Sequence, residues 1–285
     1  MSRRGFALIS VLWVLATLSA VVGASLALVQ TENAAGQNRI ALTRGAWARE
    51  ACLEILLGRY ATDAATGSID SVDLGRGTWC RAVVSNPAAK LDLNRAAADA
   101  LGILIGNDTL VDAVLDWRDA DDITRPFGAE RVWYEASHRR RPRNAPFADV
   151  GELRLVKGFD SARVSRLEQY LSTEGIGQID INAAAPEVLA TLPGFVPETE
   201  AAVLFRRRSG ARIENADQLL ALLPASARAR LLERYQEFTR VAVYAAPQFV
   251  VTIEGGVRGL APVSRAWVTL VPAAGRMAVV RRRSE

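Results

Sequence analysis

The feature that most constrains this chain is an uncharged apolar stretch close to its N-terminus, from Phe6 to Val29. Roughly 24 residues of helix reach about 36 Å, enough to cross a hydrocarbon core of about 30 Å. Arg3 and Arg4 precede the stretch, so the positive-inside rule sets the N-terminus in the cytoplasm and the remainder on the other side. A secretory signal peptide would stop at a small-residue cleavage site. Here the apolar run passes into helix-compatible sequence through Gln30 and Glu32 towards Trp47 and Leu56. The expectation is a retained, single-pass helix over residues 6–60. Ile40, Ala41, Ala46, Trp47, Cys52, Leu53, Ile55 and Leu56 recur near helical spacing and make its distal half amphipathic.

The rest of the chain divides by pattern. Residues 61–90 are strand-like, with Thr78 to Val84 β-branched and aromatic and glycines at 67, 75 and 77 as punctuation. Residues 91–235 read as helices and hold an internal repeat: Leu91-Asp92-Leu93-Asn94 matches Ile179-Asp180-Ile181-Asn182. Two hairpin-like stretches, Val150 to Phe159 and Glu187 to Phe195, also match, each with a glycine suited to a tight inter-helix turn. Residues 236–285 return to strands, expected at Phe238–Tyr244, Phe249–Ile253, Ser264–Val271 and Met277–Arg282. Turns are expected at Ala246-Pro247, Gly255-Gly256 and Ala273 to Gly275. Strands on both sides of a helical block indicate an α+β fold: a long N-terminal helix on a small antiparallel sheet, with a large all-α domain inserted.

Few residues offer chemistry. The only histidine, His138, sits in an arginine-rich loop, and no nucleophile elbow, phosphate loop or paired-histidine zinc motif occurs, so an enzyme is not expected. Asp116, Asp119, Asp121 and Asp122 form the densest acidic cluster, with Asp112 before it and Glu130 after it. Carboxylates near a helix C-terminus oppose the dipole. A hard cation such as calcium, which takes oxygen ligands, would relieve the repulsion. A salt-bridged surface using Arg118, Arg125 and Arg131 is the alternative. No cofactor is otherwise required. Cys52 and Cys80 have neither metal-knuckle nor redox-motif spacing; they form either a disulfide or two buried thiols. The glycine hairpins resemble helix-hairpin-helix modules, which hold DNA phosphates elsewhere. A membrane-anchored DNA-binding protein is therefore the alternative function. The net charge of only +4 and the scattered arginine runs weigh against it, and nucleic acid is not an expected partner.

The leader Ser2-Arg3-Arg4-Gly5 followed by Phe6 resembles that of type IV pilins and type II secretion pseudopilins. In that class a prepilin peptidase cuts after glycine and methylates the new N-terminus, which assigns Gly5 and Phe6 to cleavage and Phe6 to N-methylation. The class usually carries glutamate at the fifth mature position; here it is Ser10. That absence resembles the minor pseudopilin K family of type II secretion. So do Leu91 to Asn94, Leu115 to Asp122, Arg141 to Phe147 and Ile179 to Pro186. The resemblance implies a pilin-like helix and sheet with an inserted helical domain, and a subunit that caps the tip of a pseudopilus and takes part in its initiation. It also implies the minor pseudopilins I and J, the major pseudopilin, the inner-membrane secretion platform and the prepilin peptidase as partners. It adds calcium, bound by some family members, at Asp116, Asp119, Asp121, Asp122 and Glu130. The implied location is the bacterial inner membrane, with the C-terminal domain periplasmic.

Overall fold

The computed structural model of the chain describes residues 3–62, 67–260 and 263–284. In chain order the elements are α1 (Arg3–Thr62), β1 (Ile69–Gly75), β2 (Thr78–Ser85), β3 (Leu91–Asp92), α2 (Ala98–Ile105), α3 (Asp108–Arg118), α4 (Arg131–Ala136), α5 (Ser161–Leu167), β4 (Leu171–Ser172), β5 (Ile179–Asp180), α6 (Pro186–Leu189), α7 (Pro197–Arg208), α8 (Ala216–Leu222), α9 (Ala225–Glu233), α10 (Tyr235–Val241), β6 (Ala242–Val243), β7 (Phe249–Val257), β8 (Ser264–Ala273) and β9 (Arg276–Ser284). They fall into two compact units. One comprises residues 1–84, 251–268 and 275–285; the other comprises residues 85–250 and 269–274.

The first unit is built on α1. Its 60 residues contain no proline, so nothing interrupts a rod of about 90 Å. From Ala41 onward one stripe is buried, through Gly45, Ala48, Cys52, Leu56 and Tyr60, at steps of three and four residues. The stripe is narrower than the sequence suggests: Ile40 and Trp47 point outward, 50% and 70% exposed. Small residues occupy the contact because the helix lies very close to the sheet. A Cβ added to Gly45 would sit 2.7 Å from the Gly255 carbonyl oxygen. Gly255 and Gly256 are therefore not the expected turn; they lie inside β7 and leave room for the helix backbone and for the Trp79 ring.

The sheet is five-stranded, ordered β1-β2-β7-β8-β9. β1 and β2 form an antiparallel hairpin with Asp73 opposite Trp79. Along β8, Ser264, Ala266, Val268 and Leu270 are buried in alternation, the period-two signature of a half-buried strand. Across β2, β7 and β8, Glu254 bridges Arg81 at 2.5 Å and Arg265 at 2.8 Å. Arg49 of α1 donates to Ser264 Oγ at 3.0 Å, and Arg282 of β9 bonds Glu50.

The second unit is helical apart from two short parallel pairs, β3 with β4 and β5 with β6. The sequence repeat has one structure used twice. Asp92 accepts from the Asn94 amide at 2.9 Å, and Asp180 from the Asn182 amide at 2.9 Å. Asn94 then pins Phe147 through both amide atoms, and Asn182 pins Ile213 in the same way. An arginine from the second helix of each copy caps the turn after the motif: Arg118 on Ala96 O and Arg207 on Ala184 O, both at 2.7 Å. The strand expected over Phe238–Tyr244 is mostly helix α10, with only Ala242 and Val243 extended. Phe238 is the buried residue of α10, and it stacks on Phe195.

Candidate functional site

The two copies of the repeat differ in length. The span from the pinning asparagine to its target is 53 residues in the first copy and 31 in the second. The extra length includes the acidic segment after α3.

α3 delivers two of the carboxylates. Asn107 caps its start by accepting from the Leu110 amide at 3.2 Å, and its apolar face, Leu110, Val111, Val114 and Trp117, is buried. That packing carries Asp116 into the interior, where it is fully buried. Trp117 meets Tyr134 edge-on at 5.4 Å and stacks on Phe147 at 6.3 Å, holding the end of α3 against α4. Asp119 ends the helix, its amide bonded to Leu115 O. The chain then loops back over Asp116. Arg125 Nη1 reaches Asp116 at 2.6 Å and Asp119 at 2.5 Å, and the Arg125 amide donates to Asp116 at 3.2 Å. Gly128 passes so close to Asp116 that a Cβ there would overlap the carboxylate. Lys157 ties the loop down by donating to Gly128 O at 2.8 Å while its ammonium lies 5.4 Å from the Trp133 ring centre.

Glu130 is the anomaly. It stands at the start of α4, is 3% exposed, and neither carboxylate oxygen has a hydrogen-bond partner. Asp119 Oδ1 is buried and unpartnered as well. Oxygens of Asp119, Asp121 and Glu130 all lie within 4.8 Å of one another. Burial pushes the Glu130 carboxyl up to about 7, and the charges of Asp116, Asp119, Asp122 and Asp121 push the same way. Both Glu130 oxygens and Asp119 Oδ1, buried without a donor beside the exposed Asp121, form a site that gains by taking up a cation or a proton.

Of the five acidic residues singled out in the sequence, the fold thus gathers Asp119, Asp121 and Glu130. Asp116 is held by Arg125, and Asp122 accepts from Asn144 Nδ2 at 3.0 Å. The salt-bridged alternative holds for Arg125. Arg118 turns instead to backbone carbonyls, and Arg131 faces Glu135 at 3.9 Å. Asn144 escaped the sequence reading. It has a positive φ of 47° and also donates to Asp121 O at 2.8 Å, fixing the backbone between two of the acids. An asparagine in a proline-flanked stretch was the available signal, since asparagine tolerates the left-handed region.

The other sequence candidates lie in α1. Gly5, Phe6 and Ser10 fall in its first turns, and their side chains lie outside the described residues. From Val11 onward α1 is long and apolar enough to cross a membrane, and its most apolar window is wholly exposed. Cys52 and Cys80 are both buried free thiols. The glycine hairpins offer little to a phosphate: the amides that follow Gly158 and Gly194, those of Phe159 and Phe195, donate within their own turns at 3.3 and 3.1 Å.

A long helix with an exposed apolar half, packed distally on a five-stranded sheet whose strands flank an inserted helical unit in sequence, defines a pilin-type scaffold with one candidate membrane anchor among the described residues. Residues 81–173 match the family described as type II secretion system (T2SS), protein K. A stretch of 102 residues is 34% identical to type II secretion system protein K of Dickeya chrysanthemi, covering 34% of this chain and 27% of that protein, about a quarter of its length. The fold matches a chain in the crystal structure of the GspK-GspI-GspJ complex from the enterotoxigenic Escherichia coli type 2 secretion system. The TM-score is 0.60 at 17% identity, over 85% of this chain and 96% of that one. The chain is thus similar to protein K of type II secretion systems in sequence over residues 81–173 and in fold over most of its length.

Proposed function

We propose that this chain is a non-enzymatic assembly subunit that caps the tip of a secretion pseudopilus and takes part in starting it. The observation that carries the reading is α1, whose exposed apolar half continues without a break into a half packed on the sheet. Such a helix suits an inner-membrane anchor, with the sheet and the helical unit on the periplasmic side. It can then pass from lipid into a bundle of similar helices, because both surroundings are apolar. Before assembly, cleavage after Gly5 and methylation of Phe6 by a prepilin peptidase would free a new amine. In a subunit stacked beneath another, a glutamate at the fifth mature position can neutralise the amine above it. Burying that amine unpaired is costly. Ser10 carries no charge, so this chain fits best where nothing lies above it. The inserted helical unit, too large for a slender fibre, points to the same end position.

The relative of known structure sits in a complex with proteins I and J, which supports the same pairing here, with the major pseudopilin and the inner-membrane platform as later contacts. Labelled protein on isolated pseudopili tests the reading: label at one end of each fibre is expected, and label along the fibre would refute it.

A second reading concerns Asp119, Asp121 and Glu130. Their convergent oxygens, three of them buried and unpartnered, suit a calcium ion. Bound there, calcium would neutralise the cluster; Asp121 and Asp122 are already steadied by Asn144, and Asp119 by Arg125. The ion's role would be to stiffen the loop between α3 and α4.

A further inference from the structure

The chain has 2 cysteines, and the first unit brings them together. Cys52 lies on the buried stripe of α1, between Ala48 and Leu56. Cys80 lies at the centre of β2, opposite Val72 of β1. Both are 0% exposed, and their side chains are hydrogen-bonded to each other. Neither serves the anchor, the acidic cluster or the repeat. Chance burial of two thiols does not require them to touch, and the charge of Arg59 also acts on Cys52.

We propose that Cys52 and Cys80 are a preformed cross-linking pair that closes into a disulfide and fastens the distal half of α1 to β2. The proposal takes its oxidant, a reactive protein disulfide of an oxidising compartment, from the reading that this part of the chain is exported. In the first step one cysteine thiolate attacks a sulfur of that oxidant disulfide. A mixed disulfide forms and one oxidant thiolate leaves. The second cysteine thiolate then attacks its partner's sulfur and expels the other oxidant thiolate. The pair loses two protons and two electrons. The oxidant accepts the electrons, and its two thiolates take up the protons.

The surroundings decide when this happens. Burial holds both thiols well above their ordinary range, Cys52 above all, so little thiolate exists once the core has closed. The exchange belongs to folding, before α1 docks on the sheet. The finished bond is then shielded from reductants by the same burial. It closes a loop of roughly 29 residues, long enough to restrict the unfolded chain substantially. It ties α1 to β2 seven residues beyond Gly45, whose own close contact is with Gly255 of β7.

The test uses the full-length protein, exported in cells and extracted in detergent. Thiols are blocked with N-ethylmaleimide during denaturation, without reductant, and intact mass is read. The expected result is a monomer with no adduct, and with two adducts after prior reduction. In parallel, reduced full-length protein is unfolded, then returned to detergent buffer with a glutathione redox mixture. It should form the same internal bond, and reduction should lower its melting temperature by on the order of 10 °C. Cys52→Ala with Cys80→Ala should make the melting temperature indifferent to reductant; if that variant does not fold, the adduct count still decides. Two adducts without reduction in exported chains, a bond between chains, or persistent glutathione adducts after refolding would each overturn the proposal. Protease access from the periplasmic side is scored separately. If the chain is not exported the functional reading fails, and the refolding arm alone judges the pair.

Discussion

Glu130→Gln separates the cation-site account from a merely salt-bridged surface. In the folded chain the Glu130 carboxyl is raised from 4.5 to about 7, first by burial and then by the neighbouring aspartates. A folded-state value above the unfolded one adds stability that is complete below about 4.5 and lost as pH rises through about 7. At pH 8, without calcium, ionised Glu130 should therefore oppose folding by about 3 kcal/mol. Glutamine keeps the shape and removes the charge. The variant should melt higher than wild type at pH 8, by roughly 6–12 °C for a unit of this size, and match it near pH 4.5. Calcium reverses the order. An ion that binds only the folded state stabilises wild type by about 2.7 kcal/mol at a hundredfold excess over its dissociation constant. The variant, lacking one ligand and the charge, should respond far less. Scanning calorimetry of full-length protein in detergent, at both pH values with calcium or with chelator, measures all of this. The reasoning fails if Glu130→Gln melts at or below wild type at pH 8 in chelator. It also fails if calcium in large excess leaves the wild-type curve unmoved.

Intact-mass analysis of membrane-extracted protein should find a chain beginning at N-methylated Phe6, and Gly5→Leu should leave it uncut. Gly45→Val places side-chain atoms where Gly255 O already stands 2.7 Å from the nearest Cβ position, so the first unit should lose about 1–3 kcal/mol, read by urea denaturation. Arg125→Ala leaves the fully buried Asp116 with only an amide donor and should cost about 1–3 kcal/mol, read by urea denaturation. Leu18→Arg puts a charge in mid-span at about 2.5–3.5 kcal/mol and should reduce membrane-inserted protein on fractionation.

The sequence by itself determined the parts of this protein that are local or repetitive. Twenty-odd uncharged residues admit few structures other than an exposed apolar helix, because backbone groups in a hydrocarbon setting must be bonded within the helix. The Asp-x-Asn motif at Asp92 and Asp180 was legible because each aspartate bonds the amide two residues on, an interaction set by chain proximity alone. Strands β2, β8 and β9 were legible from their β-branched content and their turns. Long-range packing decided the rest. Gly255-Gly256 looks like a turn until Gly45 of α1, about two hundred residues away, is laid against it. Phe238 to Tyr244 carries β-branched residues, yet the burial of Phe238 against Phe195 selects the helix. The acidic residues were visible as a cluster, but their roles were not. One arginine claims Asp116, one asparagine claims Asp122, and only Glu130 is left buried without a donor. That division, like the meeting of Cys52 with Cys80, depends on side chains that only the folded chain brings within reach.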